Sequence, residues 1–78
     1  MEACVLLDLH GKNCYQARVS IDAALRRCDN SVYRLELIHG SIHGTALRDM
    51  IRSEYAAHPR VIACDTIDAG RTILILRR

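Results

Sequence analysis

The sequence predicts an α/β (α+β) fold, a two-layer βαβαββ sandwich in which two helices cover a mixed four-stranded sheet. Three observations carry this. Apolar runs of strand character alternate with segments of helical period, a capping box marks the first helix, and the last two β-branched runs are separated by a short polar turn. Alternating strands and helices imply parallel pairing through right-handed crossovers, and the hairpin returns the last strand antiparallel.

Each element has its own signature. Cys4 to Leu9 is a nearly continuous apolar run ending in Asp8, His10 and Gly11, the pattern of a strand buried on both faces that opens into a polar loop. Asn13 with Gln16 three residues on matches a capping box. Cys14, Ala17, Ile21, Ala24, Leu25 and Cys28 then recur at helical spacing, so a helix is expected over about residues 14 to 28. Val32 to Ile38 alternates, with Tyr33, Leu35 and Leu37 opposed to Arg34, Glu36 and Ile38, and reads as a second strand ending at His39-Gly40. Thr45 is placed to cap a second helix, over about residues 46 to 57. Its Leu47, Met50, Ile51 and Tyr55 share a face, and Pro59 forces the chain out of helix just after His58. Val61 to Ile67 and Thr72 to Leu76 read as strands, and Asp68, Ala69, Gly70 and Arg71 between them signal a hairpin with three to five loop residues.

With no repeat, low-complexity tract or linker, residues 1–78 read as one domain. Hydrophobic residues make up 50% of the chain, with three Tyr and no Phe or Trp, so the core has to be built from Leu, Ile, Val and Ala. That composition excludes a disordered chain. The acidic start MEACVLLDLH is read as no secretion signal, and charges interrupt every apolar run before the roughly 18 to 20 residues that a bilayer crossing needs. A cytoplasmic protein without membrane contact is expected. Cys4, Cys14, Cys28 and Cys64 form no CxxC pair and fall in segments of core character. Four reduced core thiols are expected, with two disulfides the alternative, and a zinc knuckle is disfavoured. A net charge of +2 excludes a histone-like polycation, yet ten of the eleven basic residues are Arg and only Lys12 is Lys. The planar Arg fork suits phosphate, although a genome that favours Arg codons would give the same bias.

In such sheets the loops leaving the carboxyl ends of parallel strands gather at one edge, where ligands bind. Two chemistry-bearing motifs lie there. In Leu7-Asp8-Leu9-His10-Gly11, Asp8 and His10 are two apart and project to the same side as the first strand ends, which brings an acid and a base together. In His39-Gly40-Ser41-Ile42-His43-Gly44-Thr45, two glycines are free to take positive φ or admit a close ligand. That loop feeds a helix N-terminus where free N–H groups, the helix dipole and Arg48 favour a phosphate. Together the motifs offer what phosphodiester cleavage needs, a hold on the phosphate and a group to direct water. The plain alternatives are that Asp8 caps the first helix or pairs with an Arg, and that His10 and His39 are buried imidazoles bonded to backbone. An Asp and three His on two adjacent loops are more than capping needs. His58 reads as a residue facing the helix dipole. Tyr15, Tyr33 and Tyr55 are stacking platforms for bases or amphipathic core edges, and Arg26, Arg27, Arg77 and Arg78 are solvated ends or extensions of a phosphate track.

The combination of LDLHG at Leu7 to Gly11, His39-Gly40, Gly44 to Arg48, and Gly70 with Thr72 covers almost the whole chain and resembles the Smr (small MutS-related) domain family, as a stand-alone small member. The resemblance implies a fold similar to the C-terminal domain of translation initiation factor three, a βαβαββ sandwich, in agreement with the order read from periodicity. It also implies nucleic-acid binding, with nicking of DNA or cleavage of RNA by some members. Asp8 and His10 of the LDxH motif would be the catalytic pair, and His39 and Gly40 would shape the second half of the site. The family loop commonly reads HGxG, whereas here Ile42 stands where the second Gly is expected and the next glycine is Gly44. A β-branched residue resists positive φ, so the turn has another shape or His43-Gly44 supplies its function.

On this reading Asp8 orients a water or a divalent cation, His10 transfers a proton, and His39, Arg48 and the second helix N-terminus hold the scissile phosphate. The expected catalytic residues are therefore Asp8, His10 and His39, with Gly11, Lys12, Gly40, His43, Gly44, Thr45 and Arg48 contacting nucleic acid or phosphate. No metal ligands are assigned. Asp8, His10, His39 and His43 offer two-His-one-carboxylate chemistry without a diagnostic spacing, and the cofactor is left open, a divalent cation such as magnesium or manganese being the one this chemistry would use. The expected function is structure-selective binding of DNA or RNA with endonuclease activity, because no base-reading motif is visible. The alternatives are a binding module without catalysis and, on the same fold, a small phosphate-ligand or metal-binding protein. A homodimer would double the contact surface.

Overall fold

The computed structural model describes residues 4–29, 31–40 and 45–77. Their order is β1 (Cys4–Asp8), α1 (Cys14–Arg27), β2 (Arg34–Ile38), α2 (Ala46–Glu54), β3 (Ala63–Asp68) and β4 (Arg71–Ile75). β1 and β2 pair in parallel, with Asp8 opposite Ile38, and β4 lies antiparallel between β2 and β3, so the sheet order is β1-β2-β4-β3. Both helices pack on one face of this mixed four-stranded sheet, which is the α+β architecture the sequence predicts.

The core lies between the layers. Leu35, Leu37 and Leu74 from the sheet meet Ala17, Ile21 and Leu25 of α1 and Met50 and Ile51 of α2. Each of the fully buried Leu and Ile side chains contributes about 1.5–3 kcal/mol. The other sheet face is open, and this corrects the reading of the first strand. β1 is an edge strand whose residues alternate between exposed and half-buried, and Leu6 is 62% exposed. An unbroken apolar run here marks one covered face and one bare one. Cys4 shares the bare face and is exposed. The expectation of four core thiols therefore holds for Cys28, which is buried, and in part for Cys14 and Cys64, all four being free. Burial pushes the Cys28 and Cys64 thiols above their ordinary pKa.

The capping box forms as written in the sequence. Asn13 Oδ1 accepts from the Gln16 amide at 2.8 Å, and Gln16 Oε1 accepts from the Asn13 amide at 3.0 Å, satisfying two otherwise orphaned donors. At its other end α1 is closed by Arg60, whose guanidinium donates to the Leu25 carbonyl and, at 2.9 Å, to that of Cys28. α2 is shorter than its spacing suggests, because the chain turns at Tyr55–Ala57 before Pro59. Thr45 does not cap it through its side chain. With φ −115° and ψ 10° it is not extended, and its hydroxyl instead donates to Asp49 Oδ2 at 2.9 Å. Tyr55 belongs to the core, its hydroxyl donating to Asp22 Oδ1 at 2.7 Å, and burial raises its pKa. A fork from Arg18 to both Glu54 oxygens, at 2.8 and 2.9 Å, ties α1 to α2. The same pairing raises the Arg18 pKa and lowers that of Glu54. The β3–β4 turn is tighter than expected: Asp68 pairs with Arg71, so only Ala69 and Gly70 turn the chain, and the register shifts between Thr66 and Asp68. None of the described helices is long and apolar enough to cross a membrane.

Candidate functional site

Because β1 and β2 are parallel neighbours in register, their carboxyl ends bring the two predicted motifs to one edge. At the end of β1 the exposed Asp8 carboxylate accepts the His10 amide on Oδ1 at 2.9 Å, an Asx turn that fixes the carboxylate, and among the described residues its second oxygen makes no hydrogen bond. His10 is exposed, and among the described residues its ring makes no hydrogen bond. Gly11 follows in the left-handed region, at φ +81°, and Lys12 is exposed, its amide closing a turn onto Leu9 at 3.0 Å.

The end of β2 is built differently. His39 is buried, with Nδ1 3.0 Å from the Gly40 carbonyl oxygen and Nε2 2.9 Å from Thr72 Oγ1. A carbonyl only accepts, so the neutral ring carries its proton on Nδ1 and its Nε2 accepts from the Thr72 hydroxyl. Both ring nitrogens are spoken for, and the imidazole does not stand in the open with Asp8 and His10. β4, lying against β2, seals His39 into the sheet. Gly40, at φ +75°, is a contact between the two motifs. A Cβ built on it would lie 3.4 Å from His10 Cδ2, so the imidazole lies beside Gly40, and it is the positive φ that favours glycine there.

The β3–β4 turn joins the same edge, a contribution that sequence reasoning missed. The Gly70 carbonyl accepts from both the His39 and Gly40 amides, at 2.9 and 3.0 Å, and Gly70 lies against the Gly40 backbone. Asp68 accepts from the Gly70 amide at 2.9 Å and pairs with Arg71, which also reaches Glu36 at 3.3 Å. The Gly70 amide, then Arg71, hold the Asp68 carboxyl below the usual carboxylate range. Its only sequence signal was the Gly70/Thr72 pair.

The N-termini of both helices also reach this edge, since Cys14 Sγ donates to the Ala46 carbonyl at 3.8 Å. α2 carries an acid of its own, Asp49, in its first turn, which takes the Thr45 hydroxyl and pairs with Arg48 at 3.4 Å; α1 carries none. Arg48 is half-buried, and among the described residues its buried Nε has no hydrogen-bond partner. Tyr15, in the first turn of α1, is 71% exposed, and Tyr33 stacks beneath Arg77, 5.3 Å from its ring centroid. Ser41, Ile42, His43 and Gly44 lie outside the described residues, and with them the expected roles of His43 and Gly44 and the Ile42 departure. Among the described residues no three His, Cys, Asp or Glu side chains are grouped to hold a metal ion.

A family model, the Smr domain, matches residues 7–74. The chain belongs to the Smr domain family. A solved structure agrees: the crystal structure of the Smr domain of Thermus thermophilus MutS2 superposes with a TM-score of 0.83 at 29% identity, covering 95% of this chain and 99% of that one. No curated protein matches the chain. Smr domains are associated with nucleic-acid binding and endonuclease activity.

Proposed function

We propose that this Smr domain binds structured nucleic acid and cuts its backbone with Asp8 and His10. The observation that carries the reading is that these two side chains are exposed together at the sheet edge where both helix N-termini meet. Asp8, held by the Asx turn, directs a water with its other oxygen, and His10 moves the proton to or from the reacting oxygen. The scissile phosphate sits on the α1 side, at Gly11, Lys12 and the α1 N-terminus. No first-turn acid opposes an anion there, whereas Asp49 opposes one at α2. Arg48 and Thr45 then serve a neighbouring phosphate, and His39 acts as a link within the sheet. A divalent cation, magnesium or manganese, would have Asp8 as its protein ligand. RNA and branched DNA both fit a site that reads backbone.

The test is incubation of the protein with structured RNA and supercoiled plasmid, each with magnesium, manganese or chelator, beside Asp8→Asn and His10→Ala proteins of verified fold. Cutting by the wild type alone is expected. Salt-sensitive binding with no cutting by any of the three would make this a binding module, and neither cutting nor binding would favour a small phosphorylated ligand.

A further inference from the structure

Thr72 is fully buried and polar, and it faces the helices from the middle of the sheet. Position 72 lies opposite Leu37 in β2, where a Val would fill the same space. What Thr72 adds is a hydroxyl proton, and the His39 Nε2 receives it at 2.9 Å. That bond leaves Nδ1–H for the Gly40 carbonyl, at 3.0 Å, while the His39 and Gly40 amides both donate to Gly70. Gly40 is thus held through its amide, its carbonyl and its predecessor's ring, in a left-handed conformation at φ +75°. Beside it lies the His10 imidazole.

We propose that Thr72 is a positioning residue for the Asp8–His10 site, acting through His39 and Gly40 on the surface against which the His10 ring rests. The proposal rests on the reading of His10 as the proton-transfer group. It also assigns the β3–β4 hairpin a part in the site, since Gly70 and Thr72 come from that hairpin and neither touches the reacting atoms. Without the Thr72 hydroxyl, the Nε2 lone pair of His39 is buried and unmatched. The imidazole then turns or recruits water, and the Gly40 carbonyl loses its fixed donor.

Thr72→Val and Thr72→Ser decide this, each first checked for cooperative unfolding. The readouts are the nitrogen and carbon resonances of the histidine rings and the kcat and KM for cutting structured RNA. Wild-type His39 is expected as the Nδ1–H tautomer. Thr72→Val is expected to shift the His10 ring resonances and to lower kcat about ten- to a hundredfold at nearly constant KM, and Thr72→Ser to restore both. A folded Thr72→Val protein with unchanged His10 resonances overturns the proposal. So does an Nε2–H tautomer of His39 in the wild type, a measurement that settles the matter even if the Val protein does not fold. A wild type that cuts nothing would remove the catalytic reading of His10, while the spectra would still report whether Thr72 sets the place of its ring.

Discussion

The chain writes His-Gly three times, and the fold makes two different things of the first two. His10-Gly11 and His39-Gly40 each follow a strand of the same parallel pair, and both glycines are left-handed, at φ +81° and +75°. Yet His10 is exposed and His39 is buried with both nitrogens bonded. The cause is the neighbour. β1 is the edge of the sheet, so among the described residues no strand lies beyond it at His10, whereas β2 is flanked by β4, and Thr72 of that strand and Gly70 of the turn before it meet His39. One dipeptide in one backbone shape becomes an exposed imidazole at an edge and a rivet in an interior.

The sharpest way to break this contrast is to treat the two histidines alike. His10→Gln is expected to reduce cutting about 10²- to 10⁴-fold while leaving stability within about 0.5 kcal/mol of wild type. His39→Gln is expected to cost about 2–3 kcal/mol in urea denaturation, because it strands the Thr72 hydroxyl or the Gly40 carbonyl. Equal stability losses would mean that the two ends are not built differently. A finer comparison uses the glycines. Alanine at either left-handed position costs about 1–2 kcal/mol. Gly11→Ala meets no atom within 4 Å and should leave the His10 resonances in place, whereas Gly40→Ala should displace them. The smallest effect is electrostatic. The Gly70 amide and Arg71 lower the folded-state pKa of Asp68, so its ties contribute fully above the unfolded carboxylate pKa of about 3.9 and are lost only as pH falls through the depressed value. The Gly70 amide resonance should therefore stay fixed from neutral pH to about 4 and move only in stronger acid.

Local signals were legible and neighbour relations were not. Asn13 and Gln16 announce α1 because a capping box is completed within four residues, and the alternation through Leu35 and Leu37 gives β2 because period is a property of the strand alone. Leu6 misleads for the opposite reason: whether an apolar residue in a strand is covered depends on which layer lies over it. Thr45 has the right side chain for a cap, but its backbone conformation turns the hydroxyl to Asp49. In the candidate site, Asp8 and His10 could be picked out by type and spacing. The burial of His39 and the part played by Gly70 follow from β4 lying between β2 and β3, and no periodicity encodes strand order.

That strand order also bears on how the molecule is made. β4 comes last of the six elements in the chain, yet it occupies the interior of the sheet, and β2 and β3 do not touch without it. During synthesis, until residues 71–75 have emerged from the ribosome, the growing chain carries β2 with one bare edge and β3 with no partner. Nascent chains in that interval present two sticky ribbons to one another and to chaperones. The sheet is complete only once β4 lies between its two neighbours, with Thr72 against His39.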